Sequence, residues 1–205
     1  MPESLVQVTS GGGPKLHTFQ RTIGANNVED EIVIPGLPYF ASYTLPITGI
    51  STGTGASHIL QIMAGASLAV YVHRITLWQA ASATTAAYCE WSLRRLSTAG
   101  TGGGAQTPQL LDQTDAASGA SGMTLPTVKG AEGQVPFRSA SYVTQTPGAT
   151  GVPMLPVFDF RADENGLYKP IRIPAGAANG LAVRNDTAVA GMTVTGTLIF
   201  TEANF

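Results

Sequence analysis

The 205-residue chain has few charged side chains and very few lysines. Asp, Glu, Lys and Arg make up 12% of the chain, about half of the share that is usual in soluble domains, and only three of these residues are lysines. Long solvated helices need such side chains on their outer face, so the sequence predicts few or none. The net charge of −2 provides no positive field for phosphate groups, which argues against a nucleic-acid partner.

Cysteine and long apolar runs are also scarce. Cys89 is the only cysteine, which excludes an intrachain disulfide and a cysteine-based zinc site, and its apolar neighbours predict a buried side chain. The most apolar stretch, from Ile59 to Val72, includes Gln61 and Ser67 and is too short and too polar to span a bilayer. No secretion signal precedes it. We therefore expect a protein that is made and folded in a cytoplasm, with no membrane partner.

From Tyr43 onward, apolar residues recur at every second position, which is the period of a half-buried strand. The clearest case runs from Met192 to Phe200, where the alternate positions are mainly threonine, a residue that favours strands. At His73 the parity of the apolar residues shifts, which predicts a bulge or a bend. Eight or nine short strands between glycines and prolines predict an all-β sandwich or barrel. Further candidate strands are 43–48, 58–63, 88–94, 135–145, 155–160, 171–173 and 181–185.

Two segments depart from this pattern. Residues 1–40 contain short apolar runs interrupted by glycine and proline and predict an extended N-terminal arm, ordered against another surface or subunit, or else a flexible tail. Residues 41–205 form the predicted sandwich domain. Within it, residues 97–122 make an unusually long connection, rich in glycine and alanine. This loop either contacts a neighbouring subunit or packs on its own sandwich.

Gly49–Gly53 matches the G-x-S-x-G pattern of hydrolase nucleophile elbows. The elbow requires a tight turn from a strand into a helix, which raises the serine hydroxyl towards an oxyanion hole. Here another predicted strand follows, and a chain rich in glycine and serine produces the pattern by chance. We therefore assign no catalytic residue and expect that the protein is not an enzyme.

The other candidate sites are equally weak, so we predict no metal, cofactor or ligand residues. The histidines at positions 17, 58 and 73 lack metal-ligand spacing and are better explained as satisfied polar side chains. Residues 163–166 suit a β-turn better than a calcium loop, and residues 100–104 lack the remainder of a phosphate loop. The sequence Asn185-Asp186-Thr187 matches a glycosylation acceptor, but a chain without a secretion signal does not meet that machinery. A pair of carboxylates of the glycosidase type stays an open possibility, because the sequence does not show which strands are neighbours in a sheet.

Five runs of residues resemble segments of small virion structural proteins of tailed bacteriophages. Together they span most of the chain, although they are structural runs and not signature motifs. The runs are Thr18–Gly24 (TFQRTIG), His58–Ser67 (HILQIMAGAS), Arg94–Gly103 (RRLSTAGTGG), Met123–Thr127 (MTLPT) and Lys169–Gly176 (KPIRIPAG).

This resemblance implies a jelly-roll-like sandwich and a place in the virion, after synthesis in the bacterial host. It implies a capsid decoration (cement) protein that binds the major capsid protein, with the N-terminal arm as the expected clamp. It also implies a homo-oligomer, with a trimer as the leading expectation. The alternative is a tail or head-fibre module that binds a host-surface receptor. An exposed cluster of tryptophan and tyrosine around a shallow groove would favour that alternative, whereas Trp78 and Trp91 lie in strand patterns with buried neighbours.

Overall fold

The structure, a computed structural model, describes residues 18–23, 26–31, 40–53, 55–143, 154–160 and 169–203. These residues form fourteen strands and no helix. The strands are β1 (Thr18–Ile23), β2 (Asn26–Glu31), β3 (Ser42–Ser51), β4 (Ser57–Met63), β5 (Ala69–Ala81), β6 (Ala87–Leu96), β7 (Gly104–Gln106), β8 (Gln109–Leu110), β9 (Ser121–Thr124), β10 (Phe137–Val143), β11 (Met154–Asp159), β12 (Ile171–Ile173), β13 (Gly180–Asn185) and β14 (Thr193–Ala203). The prediction of an all-β protein is confirmed.

The chain divides into two compact units, Met1–Pro38 and Tyr39–Phe205. In the first unit, β1 and β2 pair as an antiparallel hairpin, from Thr18 opposite Glu31 to Ile23 opposite Asn26. The sequence predicted an extended arm or a flexible tail for this region and did not reveal the pairing, because β2 is polar and acidic and shows no apolar alternation. The short apolar runs at residues 5–9 and 32–34 lie outside the described residues.

The second unit is a sandwich of two antiparallel sheets. The first sheet has the order β11-β5-β14-β3-β8, with β12 also paired to β5, and the second has the order β10-β6-β13-β4-β9-β7. The eight principal strands give the orders β3-β14-β5-β11 and β4-β13-β6-β10. This is the arrangement of a jelly roll, in which two Greek keys wind together. The jelly-roll-like sandwich predicted from the resemblance is therefore the observed fold.

The core lies between the sheets and follows the predicted alternation. In β14 every second residue from Val194 to Phe200 is buried, and the ring of Phe200 stacks on that of Tyr43 with centroids 5.2 Å apart. The predicted bulge is present at His73, because Ile199 pairs with Arg74 but Phe200 pairs with Val72. The extra residue resets the parity, so apolar side chains on both sides of it face the same core.

The long connection between β6 and β10 packs on its own sandwich. It supplies β7 and β9 to the second sheet and β8 to the first, so it crosses from one sheet to the other and back. Glu202, which is buried, accepts hydrogen bonds from the amides of Gly119 and Ala120 and from the hydroxyl of Ser118. These contacts favour the second of the two interpretations of residues 97–122.

Residues 125–136 complete this connection, and we call them the strap. Backbone hydrogen bonds join Arg95 to Gln134 and Ser97 to Ala131, so the strap runs beside the end of β6. From the strap, Glu132 reaches side chains on three strands of the second sheet. These side chains alternate with core residues and therefore lie on the outer face of the sheet.

Candidate binding site

An exposed pair of tyrosines marks the outer face of the second sheet, at the edge formed by β6 and β10. Tyr88 and Tyr142 are direct cross-strand partners. Their rings meet edge to face, with centroids 5.4 Å apart and planes 68° apart, which is a preferred geometry for two aromatic rings. Tyr88 is 72% exposed and Tyr142 is 53% exposed. The pair therefore presents aromatic surface to solvent.

A groove of about 230 Å³ lies next to this pair in the sheet. Glu90 follows Tyr88 on the outer face of β6 and pairs with Ala140 of β10, which in turn precedes Tyr142 on the same face. Because Ala140 has only a methyl group, the sheet is open above it. The lining residues are Glu90, Trp91, Arg138, Ser139, Ala140 and Asp186.

Asp186 closes the side of the groove that faces β13. Its Oδ1 accepts a hydrogen bond of 3.1 Å from Arg94 Nη2 and lies 3.0 Å from Arg184 Nε. Its Oδ2 is buried, has no hydrogen-bond partner among the described residues and lies 3.9 Å from Nη1 of Arg138. A buried carboxylate oxygen without a donor is costly, and the positive charge of Arg138 offsets part of that cost.

Beyond Asp186, the strap covers a second polar cluster, centred on Glu132. This carboxylate accepts hydrogen bonds from His58 Nε2 at 2.9 Å and from Arg184 Nη1, and Arg94 Nη1 lies 3.5 Å from it. Burial raises the pKa of Glu132, but the hydrogen bond from His58 and the charge of Arg184 outweigh it and leave that pKa below its ordinary value. Burial lowers the pKa of His58, and the nearby Glu132 offsets only part of that effect.

The predicted weak motifs fall at ordinary structural positions. In the G-x-S-x-G match, the Ser51 hydroxyl accepts a hydrogen bond of 3.3 Å from the amide of Gly53, and the next element is strand β4. A serine triad would also need a histidine. Of the two histidines among the described residues, His58 bonds Glu132 and His73 bonds Thr201. Both histidines thus have other partners, and the described part of the chain does not assemble this motif into a serine triad.

The remaining candidates are buried, structural or outside the described residues. Cys89 is fully buried below the tyrosine pair, and burial raises the pKa of its thiol to about 12. Asn185 of the glycosylation match is also fully buried, with its amide 3.3 Å from the carbonyl oxygen of Thr52. In the glycine-rich run, Thr101 bridges to Val128 of the strap. His17 and residues 163–166 lie outside the described residues.

The described part of the chain also bears on metal binding and on membrane insertion. No three His, Cys, Asp or Glu side chains within these residues are grouped so that they would hold a metal ion. The same residues include no helix with the length and hydropathy of a membrane span.

The fold is a jelly-roll β-sandwich, and the outer face of one sheet carries a groove beside an exposed pair of tyrosines. The chain matches no protein-family model, no curated protein and no solved structure at a significant level.

The tyrosine pair was missed in the sequence because it depends on the register between β6 and β10. One half of it was visible: Tyr88 alternates with Cys89 and Trp91, which places it on the outward face of a predicted strand. Tyr142 lies 54 positions further along the chain, and only the pairing of the two strands brings it opposite Tyr88.

Proposed function

We propose that the protein is a structural component of a tailed-phage virion, and specifically a capsid decoration (cement) protein that binds and stabilises the shell. One observation carries the proposal: the strand order is that of a jelly roll, the fold that the resemblance to small virion proteins implies. The proposal assigns the protein no catalytic step and no cofactor.

The surface of the long connection supports this role. Residues 97–107 and 111–121 are largely exposed and consist mainly of glycine, alanine, serine and threonine. Such side chains have few rotamers, so their immobilisation at an interface costs less than that of lysine or glutamate. A surface of this kind is suited to contact with many copies of a repeating shell.

The proposed partner is the major capsid protein, and the proposed clamp is the N-terminal arm of residues 1–40. An extended segment can add to an exposed strand edge on a partner through main-chain hydrogen bonds, with little demand on its own sequence. All strands of the two sheets begin after it, at Ser42 or later. In this proposal the sandwich assembles as a homo-oligomer, with the trimer implied by the resemblance, and is located in the virion after synthesis in the bacterial cytoplasm.

Co-sedimentation with phage shells that lack this protein tests the proposal. We expect the full chain to sediment with the shells, and a variant without residues 2–34 to stay in the supernatant. Circular dichroism provides the control, because the variant should keep the β-spectrum and thermal midpoint of the sandwich. Full retention of shell binding by the folded variant would overturn the clamp, and failure of the full chain to bind shells would overturn the cement function.

A second candidate is a tail or head-fibre module that binds a host-surface receptor. The exposed tyrosine pair beside the groove favours it, because aromatic rings with polar neighbours are common in recognition sites. Immunogold electron microscopy of whole particles separates the two candidates. Label on the shell supports the cement protein, and label confined to fibres or the tail supports the receptor-binding module.

A further inference from the structure

We propose that the groove lined by Glu90 and Arg138, together with the neighbouring pair of Tyr88 and Tyr142, binds one neutral pyranose ring of a glycan. In this site the two tyrosines contact the apolar face of the sugar, while Glu90 and Arg138 bond its hydroxyls. The proposal is independent of shell binding, since a shell protein and a fibre module can both present such a site.

The tyrosine pair supplies the apolar surface. A pyranose ring has a face of C–H groups and a rim of hydroxyls, so it needs a partner that is apolar in the centre and polar around it. Tyr88 and Tyr142 are the two most exposed aromatic side chains among the described residues. Their edge-to-face contact holds each ring against the other, so little rotamer freedom is left to lose on binding.

The polar groups of the groove match the hydroxyl rim. Glu90 lies one outward position from Tyr88, and its carboxylate can accept two hydroxyl hydrogen bonds, which are stronger than bonds between neutral groups. Arg138 is 62% exposed and lies only loosely against Asp186, at 3.9 Å, so its guanidinium can donate to a ligand oxygen.

The strands below the groove are fixed in place. The carbonyl of Glu90 accepts a hydrogen bond of 2.7 Å from the amide of Asp186, and the amide of Glu90 donates to the hydroxyl of Thr187 at 3.3 Å. On the inner side, Trp91 Nε1 donates to Ser141 Oγ at 3.0 Å. The site is therefore rigid before a ligand arrives, which lowers the entropy cost of binding.

Size and charge select the occupant. The groove of about 230 Å³ is smaller than the pockets of about 300–1,000 Å³ that enclose drug-sized ligands, so it suits one ring of a longer chain. Arg94 and Arg184 neutralise Asp186, which leaves the groove with one exposed charge of each sign, on Glu90 and on Arg138, and so with no net charge to attract an anionic or a cationic ligand. A neutral polyhydroxyl ring meets both constraints.

Saturation-transfer NMR on the full chain tests the site. The probes are the methyl pyranosides of glucose, galactose, mannose and N-acetylglucosamine, each at about 10 mM, because a one-ring ligand is expected to bind in the millimolar range. The test variants are E90Q and the double variant Y88A/Y142A. The matched control is V128A, which removes another exposed apolar side chain, from the strap and not from the groove.

We expect saturation transfer to at least one pyranoside from the wild type and from V128A. The double variant should lose at least about tenfold in affinity, as is usual for truncation of central aromatic contacts, and E90Q should also bind more weakly. Absence of transfer to every probe, or unchanged binding by the double variant, would overturn the proposal. Loss of shell binding by the double variant, without any sugar binding by the wild type, would assign the tyrosines to a protein interface instead.

Discussion

The side-chain amide of Gln61 determines which nitrogen of His58 carries the proton. Gln61 Oε1 accepts a hydrogen bond of 2.8 Å from the amide of Gly100, so its Nε2 must be the group that faces His58 Nδ1. That nitrogen therefore accepts, and the proton lies on Nε2, which donates to Glu132. A second proton on Nδ1 would face a donor. Geometry and burial thus both favour neutral His58.

This arrangement predicts that acid destabilises the protein. Burial lowers the pKa of His58 from 6.5, so the unfolded chain takes up a proton that the folded protein does not. The free energy of unfolding must then fall as the pH falls through the interval below 6.5. The pKa of Glu132 is also lowered, from 4.5, and it adds a further loss of stability at lower pH. Urea unfolding measured between pH 7.5 and 5 should show the part of this decrease in the free energy of unfolding that comes from His58.

H58Q separates the contribution of His58 from that of the other groups. The variant removes the titrating ring, so its stability should depend less on pH between about 6.5 and 5, although it is less stable at neutral pH. Q61N is the matched control: it disturbs the same cluster without removing a titratable group and should keep a positive slope. If the free energy of unfolding of H58Q depended on pH as strongly as that of the wild type, His58 would not be the source of the acid sensitivity.

Among the elements, β14 carries the most demanding packing, because it lies between β3 and β5 in the first sheet. Gly196 in its centre is buried, and a Cβ atom there would lie 2.2 Å from the carbonyl oxygen of Thr76. That oxygen belongs to β5 and cannot move without disturbing the ladder. Glycine is needed here for close approach of the backbone and not for an unusual φ.

G196A should therefore destabilise the sandwich by about 1–3 kcal/mol, the usual cost of overpacking in a core. The expected readout is a lower urea midpoint with an unchanged slope. G53A is the matched control, because a Cβ at Gly53 would meet only the Ser51 hydroxyl, at 3.5 Å. Equal urea midpoints for G196A and the wild type would contradict this prediction, because they would show that the backbone of β5 at Thr76 can move away from the added methyl group without loss of stability.

The strands also show how much of the structure could be predicted from the sequence. The period-two pattern predicted the long strands, and the parity shift placed the bulge at His73, because both are local properties of a strand between a core and solvent. The hairpin of β1 and β2 was missed, since its pairing is carried by the main chain and leaves no apolar pattern. The strap and the Tyr88–Tyr142 pair depend on contacts distant in sequence, which the residues alone do not reveal.

At the scale of the whole molecule, the two edges of the sandwich are closed in different ways. On one side the sheets end in β8, of two residues, and β7, of three, and strands this short offer little edge for pairing with another chain. On the other side the ring of Phe137 meets those of Phe158 and Phe160, with centroids 5.3 Å and 5.9 Å away. The short strands β7 and β8 therefore leave little main-chain edge for self-association on their side of the sandwich.

The last prediction is that the purified protein is a homo-oligomer, and specifically a trimer as the resemblance implies. The short side chains of the connection between β6 and β10 lower the entropy cost of an interface, and Leu111 in that connection is an apolar side chain that is 58% exposed. Sedimentation equilibrium at micromolar concentration should give three times the chain mass of 21.2 kDa. L111D should shift the protein towards monomer if this surface is the interface. V128D is the matched control, because it also replaces an exposed apolar side chain with a carboxylate, but on the strap, and it should leave the trimer intact. A monomer of wild-type protein at that concentration would contradict the prediction, and a trimer in both variants would place the interface elsewhere on the sandwich.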